Sequence, residues 1–366
     1  MKHKVAVVAD VIMEYGGAEK VTENLLKMFP KADLYTLFIV PAARKKISDR
    51  FPRVTIHTSP FQAFIKTNRV SRYISVIKII SWIYWELLNL KKYNLIISSS
   101  HSFMSKNVKK GEKAFHLSYI HTPPRYLHNE FSEIRIIKKF PLNILLWPIL
   151  KVLKWIDRKG ATRPDIIVVN SKNVRQRVKD YYKSNAVIVY PPVEVKVPKK
   201  MDKKKRYYVC LSRLVKQKGI DLAVKTCTEN NLPLVVVGDG GELPSLRKIA
   251  GPSIKFIRKC GDIQKFNILS QAKALIYTSR EEDFGIVPVE ALKLGIPVIA
   301  YASGGVKESV IHRENGVLFK NFNQEGLIDA MKLLENLCIT KKDCMDSAKK
   351  YSFKTFSNQL TNLIPR

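Results

Sequence analysis

Glu282 and Glu290 stand eight residues apart in the stretch Glu281 to Ala300, EEDFGIVPVEALKLGIPVIA, with a glycine turn between them. Asp283-Phe284-Gly285 reads as a loop and Val287 to Leu294 as the helix it opens, with Pro288 in the first turn, where a missing N–H is no loss. Gly295 stops that helix, Pro297 follows, and Val298-Ile299-Ala300 is a short buried strand. Unpaired backbone amides at a helix N-terminus attract anions, and carboxylates accept hydrogen bonds from sugar hydroxyls. Glu282 lies before those amides and Glu290 projects near the same edge. A phosphate site flanked by two carboxylates implies a sugar nucleotide. The plainer alternative is an ordinary strand–loop–helix–strand unit with surface glutamates.

Other residues have chemistry that fits the same ligand. Arg213 and Lys218 follow a strand ending at Leu211 and precede a helix beginning near Gly219. An arginine offers a planar fork for two phosphate oxygens, and a lysine a compact, movable charge. In so lysine-rich a chain, charge alone would equally give two solvated side chains. Gly16-Gly17 occupy the loop after the first strand without a full G-x-G-x-x-G, so the dinucleotide fingerprint is absent and a tight turn is the bland account. His121 and His101 each end a strand-like run, the position from which side chains reach a ligand crevice, although a satisfied structural histidine is the alternative for both. There is no D-x-D motif and no His/Cys cluster at ligand spacing, so the chemistry is expected to be metal-independent.

The elements that must position these residues alternate. Val5 to Ala9, Leu34 to Phe38, Val54 to His57, Leu95 to Ser98, Phe115 to Ile120 and Ile166 to Asn170 read as strands with helical stretches between several of them. That rhythm implies a doubly wound α/β sheet. Tyr190-Pro191-Pro192 breaks it, and the rhythm restarts at Tyr207 with strands and helices through the signature stretch. The expected organisation is a domain over 1–190, a linker over 191–205, a second domain over 206–350 and a terminal helical segment over 351–366.

The 366 residues carry 64 Lys+Arg against 31 Asp+Glu, a net charge of +33, with 46% hydrophobic residues. Such a chain is globular, and its excess charge favours a polyanion, nucleic acid or an acidic membrane face, unless it is a lysine bias spread over solvated faces. No zinc-finger, RRM-like or KH-like pattern supports nucleic acid. Five cysteines without a C-x-x-C pair fit a reducing cytoplasm, and Cys210 reads as a small buried hydrophobe. MKHKVAVVAD reads as a first strand, not a signal peptide, and no apolar run reaches spanning length. Leu142 to Ile156 is apolar with Trp147 and Trp155. Arg135, Lys138, Lys139, Lys151, Lys154, Arg158 and Lys159 surround it against one acid, Asp157. This suits an interfacial helix, and Tyr73 to Leu90, with Trp82 and Trp85, is a less basic version. Core helices are the alternative for both. The expected location is cytoplasmic, peripheral on the inner face of the cell membrane.

The stretch containing Glu282 and Glu290 resembles the E-x7-E signature of retaining glycosyltransferases of family 4. GGAEKV at 16–21, HTPPRY at 121–126, SRLVKQKG at 212–219 and VVVGDGGEL at 235–243 agree with it in order, so the similarity covers nearly the whole chain. The resemblance implies the GT-B fold, two Rossmann-like doubly wound domains facing a central cleft, with the acceptor on the first and the nucleotide sugar on the second. It implies a terminal helix crossing back to the first domain. It casts Arg213 and Lys218 as the diphosphate-binding pair, and Glu290 as the partner of ribose hydroxyls. Glu282 takes the hydroxyls of the donor sugar, and the amides of Phe284, Gly285 and Ile286 add to the grip. His121 lies beside the transferred sugar, and Gly16, Gly17 and Gly240 lie near the donor. His101, Arg125 and Tyr126 are candidates for the acceptor. Asp262 lies where members recognise the base through backbone groups, and its side chain is incidental. No nucleophile is placed, which matches front-face attack with the leaving phosphate taking the acceptor proton.

The wording of the signature and of HTPPRY resembles bacterial mannosyltransferases of O-antigen or capsule assembly, which implies GDP-mannose as co-substrate and no other cofactor. A UDP-sugar is the alternative donor. Asn315-Gly316 and Ser212 depart from the commoner Thr-Gly and Gly, without removing a charged ligand group. A sugar-nucleotide epimerase shares the fold but not these blocks, a phosphorylase needs a longer chain, and a basic non-catalytic protein leaves the donor motifs unexplained.

Overall fold

The all-apolar run Val5–Ala9 needs cover on both faces of its strand, and the computed structural model supplies it. The structure describes residues 4–13, 16–67, 70–128, 142–196, 207–258 and 260–365. Val5, Val7 and Ala9 of this strand, β1, enter one core with Val21, Leu25 and Leu26. Ala6 and Val8 point the other way, into a core with Trp85 and Phe103. The chain divides into two compact units, Met1–Pro191 with Phe356–Arg366, and Pro192–Thr355.

In the N-terminal unit β1 is followed by α1 (Gly17–Met28), β2 (Asp33–Thr36), α2 (Pro41–Arg50), β3 (Thr55–Thr58), α3 (Val70–Leu87), β4 (Leu95–Ser100) and β5 (Phe115–Ile120). Then come α4 (Leu142–Gly160), β6 (Ile166–Val169), α5 (Lys172–Tyr182) and β7 (Val187–Ile188). These strands form a parallel sheet in the order β3-β2-β1-β4-β5-β6-β7.

The second unit holds β8 (Tyr208–Leu211), α6 (Ile220–Glu229), β9 (Leu234–Val237), α7 (Leu243–Lys248), β10 (Ile254–Ile257), α8 (Asp262–Gln271) and β11 (Ala274–Tyr277). α9 (Ile286–Lys293), β12 (Val298–Tyr301), α10 (Val306–Ser309), β13 (Gly316–Phe319), α11 (Gln324–Glu335) and α12 (Lys341–Ser347) complete it. Its parallel sheet runs β10-β9-β8-β11-β12-β13. Gly261, extended, caps α8, and Asp262 already lies in the helix. The last helix, α13 (Phe353–Thr361), sends Phe356 and Leu360, each 1% exposed, into the core of the N-terminal unit. Residues 197–205 of the expected linker lie outside the described residues.

In each sheet the strand order reverses beside the unit's first strand, between β1 and β4 and between β8 and β11. Open α/β sheets bind ligands at the carboxyl ends flanking such a point. Gly16, His101 and His121 follow β1, β4 and β5; Arg213, Gly240 and Glu282 follow β8, β9 and β11.

The two tryptophan-bearing helices have different fates. Trp85 of α3 is fully buried and its indole N–H donates to the Phe103 carbonyl at 2.6 Å, while Trp82 packs partly buried beside Met104, Tyr126 and Leu153. The tryptophans of α3 therefore pack toward the core, and Trp85 satisfies a loop carbonyl. On α4, Trp147 is 57% exposed, Val152 56% and Trp155 61%. Asp157, the one acid of that segment, is buried against Lys106 and does not dilute the basic outer face. Arg135, Lys138 and Lys139 lie outside the described residues.

Candidate active site

In the C-terminal unit the ends of β8 and β11 bring three polar side chains together. Lys218 closes a 3-10 turn over Lys216–Lys218, pinned by Thr278 Oγ1 donating to its carbonyl at 3.0 Å and by the Arg280 amide donating to Gln217 at 3.1 Å. Its Nζ lies 2.5 Å from Glu282 Oε2, and the Tyr277 hydroxyl donates to the same oxygen. Burial pushes the Tyr277 phenol well above its ordinary range, and the Glu282 charge pushes it further, so Tyr277 is a permanent donor. The glutamate loop is held from behind. The Gly305 amide donates to the Glu282 carbonyl at 2.8 Å, and a Cβ on Gly304 or Gly305 would fall 2.2 Å from the carbonyl oxygen of Glu282 or Asp283.

Gly285 caps α9 with a φ of 87°, a left-handed conformation natural to glycine, and sends Ile286 into the helix. Phe284 is buried, its ring edge-on to Tyr351 at 5.4 Å. Glu290 lies on the inner side of α9 at 1% exposure, with Lys265 Nζ of α8 3.1 Å from its Oε1. Burying an ionised carboxylate costs several kcal/mol unless a cation accompanies it, so this pair is required by the placement. Asp262 is 3.5 Å from the same lysine. Arg213 is exposed, and among the described residues its guanidinium has no hydrogen-bond or ion-pair partner. Gly240 is packed against the Leu214 backbone, and its amide donates to Asp239 Oδ1 at 2.9 Å.

The N-terminal unit has a cluster of another kind. Asp10, immediately after β1 and 1% exposed, accepts from the amides of His101, Phe103 and Ser105, each at 2.8 Å. Charge-assisted bonds of this sort contribute roughly 1.5–3 kcal/mol apiece, enough to fix the loop that carries His101. The His101 and His121 rings lie edge to face, 6.3 Å apart. His121 Nε2 is 2.8 Å from Ser99 Oγ, and Thr22 Oγ1 is 3.2 Å from that hydroxyl. Burial pulls the His121 imidazole down to about 3, with His101 adding to the effect and Asp10 opposing it, so the ring is neutral at physiological pH. Gly16 caps α1, and its own amide is taken by the Glu19 carboxylate at 3.1 Å; Gly17 is the first helical residue. Arg125 is half-buried in a short 3-10 turn. Tyr126 is buried at 4% exposure, with its hydroxyl 3.4 Å from the carbonyls of Lys78 and Ser102.

Three residues join the candidates from the structure alone. Asp10 had a signal, an acid ending an all-apolar strand. Tyr277 and Lys265 had none, one lying inside a strand pattern and the other among many lysines. Among the described residues no group of three or more His, Cys, Asp or Glu side chains could hold a metal ion, and no helix is long and apolar enough to cross a membrane.

A family model described as Glycosyltransferase Family 4 matches residues 15–197, half of the chain, and one described as Glycosyl transferases group 1 matches residues 193–351. The chain belongs to glycosyltransferase family 4. Alpha-1,3/1,6-mannosyltransferase ALG2 of Mus musculus is 25% identical over 293 residues, covering 68% of each protein. Its Saccharomyces cerevisiae counterpart is 25% identical over 307 residues, 68% of this chain and 59% of the yeast protein. A Mycobacterium tuberculosis GDP-mannose-dependent alpha-(1-6)-phosphatidylinositol monomannoside mannosyltransferase is 28% identical over 216 residues, 50% of this chain and 56% of that protein. The crystal structure of Anabaena HepE in complex with UDP superposes with a TM-score of 0.71 at 16% identity, covering 98% of this chain and 99% of that one. The family 4 chain is thus a glycosyltransferase with two Rossmann-like domains of the GT-B class, and the epimerase and non-catalytic readings fall away.

Proposed function

We propose that this family 4 enzyme is a retaining mannosyltransferase that uses GDP-mannose without a metal and delivers the sugar to a glycan or lipid-linked oligosaccharide in surface polysaccharide assembly. The observation that carries this reading is the convergence of Lys218 and Tyr277 on Glu282 Oε2 at the end of β11. An ammonium has three N–H donors, so Lys218 can keep one on Glu282 and turn another to a phosphate, tying the sugar-binding carboxylate to the diphosphate. Exposed Arg213 supplies the second cation, and the two together offset the charge that builds on the leaving oxygen. Glu282 receives the donor sugar's hydroxyls, Glu290 those of the ribose, and the amides of Phe284, Gly285 and Ile286 add to the donor's hold. Gly17 and Gly240 approach the donor by backbone. His121, neutral and anchored through Nε2, offers Nδ1 to a hydroxyl of the transferred sugar, and His101 and Arg125 meet the acceptor. The acceptor hydroxyl attacks the anomeric carbon on the face that the diphosphate leaves. One carbon–oxygen bond forms as the other breaks, and the proton passes to the departing phosphate.

GDP-mannose is favoured by the mycobacterial relative's dependence on it, and a UDP-sugar is the rival that the HepE complex with UDP keeps open. A panel of GDP- and UDP-sugars, read by thermal shift and donor hydrolysis, decides: strongest response to a UDP-sugar removes the mannose assignment. EDTA should leave transfer unchanged, and a strict need for Mg²⁺ or Mn²⁺ would remove the metal-independent one.

The same proposal places the enzyme on an anionic membrane leaflet through the outer face of α4. There the Lys151 ammonium lies 3.6 Å from the Trp147 ring centroid and that of Lys159 5.1 Å from the Trp155 centroid. Each basic residue near such a surface contributes about 1 kcal/mol. Trp155→Ala combined with Lys151→Gln should weaken sedimentation with phosphatidylserine vesicles while donor hydrolysis in solution persists. A parent protein that ignores those vesicles at low salt rules the membrane role out.

A further inference from the structure

Lys265 of α8 stands between two carboxylates, Glu290 Oε1 at 3.1 Å and Asp262 Oδ1 at 3.5 Å, and is itself mostly buried. The two acids do not need it equally. Asp262 has a side chain 62% exposed, so water solvates it, and an exposed pair at that distance adds little. Glu290 is 1% exposed, and a buried carboxylate is costly without a cation built in beside it. The lysine is also held in place. Its Nζ lies 4.3 Å from the ring centroid of its neighbour Phe266, which is 3% exposed and anchors α8 to the unit.

We infer that Lys265 is a positioning residue of the donor site, fixing the Glu290 carboxylate, in its charged form, in the orientation that receives the ribose hydroxyls. The inference rests on the reading of Glu290 as the ribose partner. In the absence of Lys265, Glu290 Oε1 loses that ion pair and the carboxylate turns toward water, which removes an acceptor from the ribose. The ribose lies away from the bond that breaks, so the contact is made equally in ground state and transition state. Its loss should appear in KM and leave kcat nearly unchanged.

The test uses the full chain with GDP and UDP, each paired with its 2′,3′-dideoxy analogue, and calorimetry for affinity. Lys265→Met should weaken the tighter-binding nucleotide about 10- to 100-fold, as expected for hydrogen bonds to a charged group, and should abolish the preference for the ribose over the dideoxy form. Lys265→Arg, which keeps the charge, should recover most of both. In a Glu290→Gln background, Lys265→Met should cost less than about threefold more, because the group it positions is gone. Should Lys265→Met not fold, Lys265→Gln gives the same comparison without the charge. Glu290→Gln binding like the parent overturns the ribose assignment itself. Glu290→Gln weakened while the lysine variants bind normally overturns only the role of Lys265, and so does an undiminished loss in the Glu290→Gln background, which would mean that Lys265 touches the nucleotide directly.

Discussion

In the C-terminal unit the side chains gathered at the strand ends are charged and paired, Lys218 with Glu282 and Lys265 with Glu290. In the N-terminal unit those around His121 include hydroxyls and a neutral imidazole, and the acid beside them, Asp10, has its charge absorbed by three backbone amides. The scaffold is the same, a parallel sheet with a switch point beside its first strand. Charge on a movable lysine can be redirected to an incoming phosphate, whereas charge locked into amides shapes a loop and a neutral ring selects among hydroxyls. On the proposed reading, one unit holds the nucleoside diphosphate and the other orients uncharged sugar.

Removing charge from the C-terminal cluster should break this contrast most severely. Glu282→Gln should lower transfer by roughly 100-fold or more, and Glu290→Gln should lower kcat/KM about 10- to 100-fold through KM alone, the fold staying intact in both; a near-normal kcat/KM in both variants would withdraw the donor-site assignment. In the N-terminal unit the largest effect should fall on stability instead. Asp10→Ala strands three buried amides and should cost about 3 kcal/mol or more in denaturant unfolding, and a loss under 1 kcal/mol would show that the loop holds itself.

Acid should sharpen the comparison next. Burial lowers His116 and His121 alike to about 3 in the folded state, against about 6.5 unfolded. The unfolded chain therefore binds more protons between those values. The contribution to stability is complete above about pH 6.5 and is lost as pH falls toward 3, by about 2 kcal/mol per histidine between pH 7 and 5. Replacing His121 by Gln should flatten that slope, and transfer should show no titration of this imidazole near pH 6.5. The smallest expected change is that of Tyr277→Phe, which removes the phenol donor on Glu282 Oε2 and should lower kcat/KM roughly five- to tenfold; an unchanged value would mean that the phenol does not help hold the carboxylate.

Much of this was legible in the chain. The apolar runs at Val5–Ala9 and Leu234–Val237, the punctuation at Gly285, Gly295 and Pro297, and the break at Pro191-Pro192 are local signals, and local steric and solvation preferences give rise to strands, caps and a boundary wherever such residues are placed. Arg213, Lys218, Glu282 and Glu290 stood out because the motifs that carry them resemble those of a known family. The sequence could not distinguish Trp85 from Trp155, since each sits in an apolar helical stretch beside lysines, and burial depends on what packs against the helix. The tertiary structure buried the first on the Phe103 carbonyl and left the second in solvent. Nor could it single out Lys265 among so many lysines, or join Asp10 to amides 91 to 95 residues away. Pairings of that kind follow from which strand ends the sheet order brings side by side, and that order is set by the whole chain packing at once.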